Sequence, residues 1–301
     1  MPYDDLKSRL DHGETALLDA ATGTELQRRG VTMDFTAWCG DAALQGGEAL
    51  TEVHMDYVAA GSDVITANTF ATSRIVLNAA GHTGRYDEVN RITLDAAMKV
   101  RDAHPEVVIG GSISHMTPRR DVHGEPDLAE LADSQMELAA TLKEAGVDLI
   151  LLEMMFTPER LEASFRAAKS TGLPVWAGFS ARRGKDGEVL SFAQGSDIPF
   201  SQAASILTDF DVDAAGIMHS ESEVTGDALE IVRKFHDGTL TAYPDSGHMG
   251  LPNWNFEEII PVPRFVEYAS AWRASGVQVL GGCCGLGCDH IAALAPLKGA
   301  A

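Results

Sequence analysis

Cysteine is scarce in this chain: four in 301 residues, too few for a disulfide scaffold. Long apolar runs are missing as well, and none approaches the roughly 20 residues that a membrane-crossing helix needs. Residues 1–11 are polar and charged, with no apolar export segment, so a reducing, cytoplasmic setting is expected. Basic residues are outnumbered, 23 Lys and Arg against 44 Asp and Glu, and no local basic cluster offsets the formal charge of −21. That balance excludes nucleic acid and anionic lipid as partners and leaves small molecules. No Gly-rich dinucleotide fingerprint follows an early strand, and no low-complexity tract or linker interrupts the chain. A single domain over residues 1–301 is therefore expected, with assembly into a homo-oligomer left open.

What the chain does have is a recurrence of short, apolar, β-branched-rich runs. They cover residues 16–19, 63–67, 107–110, 148–152, 175–179, 214–218, 240–243 and 277–280. Near-continuous apolar strands of this kind are buried on both faces, as in parallel sheets. The stretches between them have helical character. Residues 48–60 place Leu50, Val53, Tyr57 and Val58 on one side and stop at Gly61, and residues 128–145 stop likewise at Gly146. Residues 159–169 follow Pro158, a favourable helix start. Eight strand–helix units predict an α/β fold, a single (β/α)8 TIM barrel, in preference to a doubly wound open sheet.

In such a barrel the chemistry sits where the strands end. The residues at those ends are Asp19, Asn68, Ser112, Glu153, Ser180, His219, Asp245 and Cys283. Asn68, Ser112 and Ser180 are ordinary loop types, and Asp245 in Pro-Asp-Ser-Gly suits a turn. Asp19, Glu153 and His219 carry more information, because each closes a strongly apolar run where an unpaired charge is costly. The last end reads Gly281-Gly282-Cys283-Cys284-Gly285. Once the backbone leaves regular strand geometry, both thiolates can turn toward one soft ion such as zinc. Two buried core thiols are the plainer alternative.

Several ordered segments resemble the motifs of the homocysteine S-methyltransferase family. They are Leu18-Asp19-Ala20-Ala21-Thr22-Gly23-Thr24-Glu25-Leu26, Ala67-Asn68-Thr69-Phe70, Leu151-Leu152-Glu153, Tyr243-Pro244-Asp245-Ser246-Gly247, and Gly281 to Gly285 followed by Asp289-His290-Ile291. The resemblance covers nearly the whole chain and implies a zinc-dependent barrel enzyme. It implies zinc ligands at Cys283 and Cys284, with His219 of Gly216-Ile217-Met218-His219 standing where the family has its third cysteine. Cys39 and Cys288 are the substitutes for that third ligand. It further implies that Asp19 and Glu153 hold an acceptor's ammonium group, with Thr22 and Thr69 near its carboxylate and Asn68 in the substrate pocket. Asp19 and Thr22 could equally cap the first barrel helix. The chain departs from the family at Ala20 and Ala21, where paired glycines are usual, at Asp245 in place of Asn, and at Cys288 in place of Pro.

The implied activity is methyl transfer from a small sulfonium or quaternary ammonium donor to a thiol acceptor, homocysteine, giving methionine. No stretch is available for a folate or cobalamin domain, so a stand-alone enzyme is expected. The rival readings are a divergent barrel that only binds a small molecule, and one that takes its methyl from a separate corrinoid protein. A zinc hydrolase is disfavoured because Leu18-Asp19-Ala20 lacks the His-x-His pair of such barrels. The loop carrying His248, Met249 and Trp254 is expected to shape the donor side, against the alternative of an ordinary surface loop.

Overall fold

Eight parallel strands form the core of the computed structural model, which describes residues 2–118, 120–124, 127–193, 195–250 and 255–299. In chain order they are β1 (Ala16–Leu17), β2 (Val64–Ala67), β3 (Val108–Ser114), β4 (Leu149–Met155), β5 (Val175–Phe179), β6 (Ala214–Glu221), β7 (Thr239–Asp245) and β8 (Val279–Leu280). Each pairs with its sequence neighbour, and β8 pairs with β1 through Ala16–Val279 and Leu17–Leu280. A parallel bridge from Leu18 to Val64 joins β1 to β2 and completes the ring. This is the (β/α)8 barrel expected from the recurring apolar runs.

Alternate strand residues divide between two cores, as burial on both faces requires. Val108, Leu149, Leu151, Trp176, Ala214 and Val279 fill the barrel interior. Ile109, Ile150, Leu152, Val175, Ala215 and Leu280 pack outward under the helices. The helix Leu128–Ala145 shows how the sequence sets the outer layer. Asp127 caps it by accepting from Ala129 N at 2.7 Å, and Gly146 ends it at φ +83°, a conformation glycine adopts without penalty. The helix Gly47–Ala60 buries Leu50, Val53 and Tyr57 as expected, but His54 rather than Val58 completes its inner face.

Strand three runs on to Ser114, well past the expected stop at Gly110. Gly110 and Gly111 are not strand breakers here, since Leu151 and Leu142 lie over them and a Cβ at either position would sit 2.7 and 3.0 Å from those side chains. One helix was not foreseen. Pro2–Asp11 closes the bottom of the barrel with Tyr3, Leu6 and Leu10, which join the interior cluster. Trp176 Nε1 donates to Tyr3 Oη at 3.3 Å, and Arg9 pairs with Asp63 at 2.9 Å to hold the plug. No helix among the described residues is long and apolar enough to cross a membrane.

Candidate metal and substrate site

The opposite end of the barrel holds a cavity of about 410 Å³ lined by the residues that close the strands. The Gly-Gly-Cys-Cys-Gly segment is stitched into that mouth by its backbone. Gly281 N donates to Ala242 O, Gly282 N to Asp19 O at 3.0 Å, and Cys283 N to Pro244 O at 2.7 Å. Gly285 then turns at φ +80° against Ser246 O, leaving no room for a side chain. Both thiols are thereby brought to one place, 3.9 Å apart.

His219 reaches them through an irregularity in its own strand. The register of β6 against β7 shifts between Met218 and Glu221, and His219 takes φ +42° there. Such a conformation is uncommon outside glycine and concentrates where function demands it. It carries Nδ1 to 3.6 Å from Cys283 Sγ and 3.7 Å from Asp245 Oδ2. The ligand atoms of His219, Cys283 and Cys284 all lie within 4.8 Å of one another, the one such group of three among the described residues.

These spacings fit zinc. With Zn–S bonds near 2.3 Å and Zn–N near 2.05 Å, the edges of a tetrahedron are about 3.8 Å for S–S and about 3.6 Å for S–N. The electrostatics agree. The Cys283 thiol is held well above its usual range, first by the neighbouring Cys284 and then by burial. Two thiolates this close repel, and a shared cation is what would relieve them. Burial works against the His219 imidazolium, but Cys283, Asp245 and Glu153 outweigh it and lift His219 to about 9. Cys283 thus favours its thiol form and His219 its imidazolium, and a cation held between them would release both protons. Cys39 and Cys288 stay out of it: Cys39 Sγ donates to Asn68 Oδ1 at 3.1 Å, while burial pushes Cys288 up to about 11 beside Glu25.

Two buried carboxyls face the same cavity. Asp19 accepts from Thr66 N and Thr66 Oγ1, both at 2.7 Å, and burial raises it to about 7 against those bonds. It does not cap the first helix, and neither does Thr22; that helix begins after Ala21 without a side-chain cap. Glu153 accepts from Ser112 Oγ and is likewise raised to about 7 by burial, with His219 opposing. Thr22 and Asn68 also line the cavity. Asn68 is already committed at both ends to Cys39, its Nδ2 donating to Cys39 O at 2.8 Å.

Thr69 does not belong to the lining. It is fully buried, and its hydroxyl donates to Ser112 O at 2.8 Å, because the residue after Asn68 turns toward β3 rather than into the mouth. Ser180 is buried too, donating to Met218 O at 3.0 Å. Asp245 is more than a turn residue, since it stands beside His219. Trp254 and the side chains of His248 and Met249 lie outside the described residues. Sequence reasoning passed over Tyr243, whose buried hydroxyl has no partner among the described residues and whose side chain lines the cavity, and over His115 and Arg160. The aromatic wall of Trp38, Phe70, Phe156 and Phe192 was also unforeseen.

A parallel barrel with a thiol-rich, metal-shaped mouth is the class that fold and side chains define together. The chain belongs to the homocysteine S-methyltransferase family, whose sequence profile matches residues 16–297. It is therefore an S-methyltransferase. It is 28% identical to homocysteine S-methyltransferase of Escherichia coli (strain K12), over 96% of this chain and 97% of that one. It is 24% identical to selenocysteine methyltransferase of Astragalus bisulcatus, over 90% and 89% of the two chains. Among solved structures, the metallated form of the Escherichia coli homocysteine methyltransferase MmuM shares the fold at TM-score 0.76 and 22% identity, covering 98% of this chain and 99% of that one.

Proposed function

We propose that this protein transfers a methyl group from a small sulfonium or quaternary ammonium donor to homocysteine, giving methionine, with zinc held by His219, Cys283 and Cys284. The spacing of those three ligand atoms, 3.6 and 3.9 Å along two edges, is the observation that carries the reading. A bound zinc ion supplies Lewis acidity that keeps an acceptor thiol ionised at neutral pH.

The remaining work falls to the chain itself. Asp19 and Glu153 are suited to the acceptor's ammonium group, whose positive charge favours their ionised forms. Thr22 stands at the rim for the carboxylate end. The acceptor sulfur forms a bond to the methyl carbon, and the pair of electrons in the breaking carbon–onium bond leaves with the donor's sulfur or nitrogen. The aromatic wall supports a cationic donor, because ring faces attract a positively charged onium group and exclude water from it. Alignment of the two bound molecules is the main source of rate. With one imidazole in place of a thiolate, the ligand set carries two negative charges rather than three. The acceptor sulfur is then less electron-rich, which calls for a donor already activated by positive charge.

Metal analysis joined to a thiol-methylation assay tests this. About one zinc per chain and methionine formed from homocysteine with S-methylmethionine, S-adenosylmethionine or a betaine are expected. Zinc-loaded protein that methylates homocysteine from none of them would sink the reading. His219→Cys should keep the metal and shift the preference among donors; an unchanged profile would remove the charge argument alone.

A further inference from the structure

We propose that His115, Thr117 and Arg160 form a carboxylate subsite in the cavity wall, and that this subsite grips the carboxylate of the methyl donor. The inference deepens the methyl-transfer reading and rests on it.

Three observations converge on this corner. His115 follows β3, is 1% exposed and lines the cavity, yet neither ring nitrogen has a partner among the described residues. A buried, unpaired imidazole facing an open space leaves a hydrogen-bonding group unsatisfied until a ligand arrives. Arg160, in the first turn of the helix Pro158–Ser170, lines the same cavity at 8% exposure. Its Nη1 donates to Thr117 Oγ1 at 3.4 Å. A guanidinium offers paired N–H groups that match the two oxygens of a carboxylate. His115 is lowered to about 3, by burial first and then by the nearby charge of Arg160, so it is neutral and can donate one N–H beside the guanidinium.

The corner is distinct in its charge from the acceptor's end. Asp19, Glu153, His219 and Cys283 influence one another, whereas among the described residues it is Arg160 that bears on His115. Two phenyl rings link the two ends. The His115 ring meets Phe156 edge-on at 4.7 Å, Phe156 meets Phe192 at 5.7 Å, and Phe192 meets His219 at 5.2 Å. A donor anchored by its carboxylate at Arg160 would lay its onium group along these rings and present a methyl toward the thiol cluster. The acceptor's ammonium has Asp19 and Glu153 and its carboxylate end has Thr22, which leaves Arg160 to the donor.

The test pairs calorimetry with kinetics on zinc-loaded protein, using S-methylmethionine and its carboxamide as probes. Wild type should bind the carboxylate form at least tenfold more tightly than the carboxamide. Arg160→Gln should weaken S-methylmethionine by about 10- to 100-fold, leave the carboxamide unchanged, and raise the donor KM with little change in homocysteine KM. Arg160→Lys should recover part of the loss, and His115→Gln, which keeps an N–H, should retain discrimination better than His115→Phe. Equal binding of the two probes by wild type, or a rise in homocysteine KM alone in Arg160→Gln, would overturn the subsite. Failure of wild type to methylate homocysteine from any onium donor would instead strike the methyl-transfer reading, and the binding arm would still decide the subsite.

Discussion

The two ends of the barrel are built from the same strands and treat buried polar groups in opposite ways. At the bottom, the buried polar groups that meet the plug are used: Tyr3 Oη accepts from Trp176, Arg9 pairs with Asp63 and Glu14, and Gln278 donates to Leu10 O. At the mouth, Tyr243 Oη and both nitrogens of His115 are buried without partners among the described residues, and burial raises two carboxyls to about 7. Unsatisfied burial costs roughly 1–3 kcal/mol per group. The contrast between the plug and the cavity wall marks the cavity as a place where a ligand would complete the hydrogen bonding.

The largest effect should come from breaking the mouth. Cys284→Ala removes one of two thiols and should abolish stoichiometric zinc and cut methyl transfer by about 100-fold or more, with the thermal transition of the metal-free protein little changed. Metal content and rate measured on the same sample check it. The bottom should respond in the opposite sense. Trp176→Ala should cost about 3–5 kcal/mol in a urea titration while each folded molecule still binds zinc. If that variant lost zinc without losing stability, the division between the two ends would not hold.

Acidity sharpens the comparison. Asp19 and Glu153 are each raised to about 7, so both take up protons as pH falls below that value and lose their attraction for an ammonium group. The affinity of methionine, which has no thiol to titrate, should therefore fall by up to about tenfold per unit between pH 7 and 6, and Glu153→Gln should flatten the profile. Stability of the metal-free protein has the reverse sign. The unfolded chain has released these protons by about pH 5, whereas the folded one keeps them to about 7. Stability should thus decline as pH rises through that window. The smallest effect belongs to Tyr3→Phe, about 1 kcal/mol from the lost bond with Trp176 and no change in donor or acceptor affinity.

The barrel was readable because apolar runs record burial, and burial on both faces occurs in few architectures. Cys283 and Cys284 were readable because paired thiols between glycines have little use in packing. What the sequence does not carry is which way a buried polar residue points. Asn68 and Thr69 are neighbours of like character, yet one lines the cavity while the other braces β3. Arg160 falls within the expected helical stretch 159–169 with nothing local to single it out, and only the meeting of the loop after β3 with the helix after β4 brings it near His115. The plug Pro2–Asp11 was hidden for a similar reason, since its partner Trp176 lies far along the chain.

His219 owes its aim to the left-handed twist of a single backbone step, φ +42° in a bulged strand. Direction there is a property of the main chain, so any side chain installed at 219 departs along the same Cα–Cβ vector. In the proposed metal site the two thiols would be fixed contacts and residue 219 an exchangeable pin. Swapping that pin would tune the hardness of the ion accepted, without redrawing the scaffold that carries it.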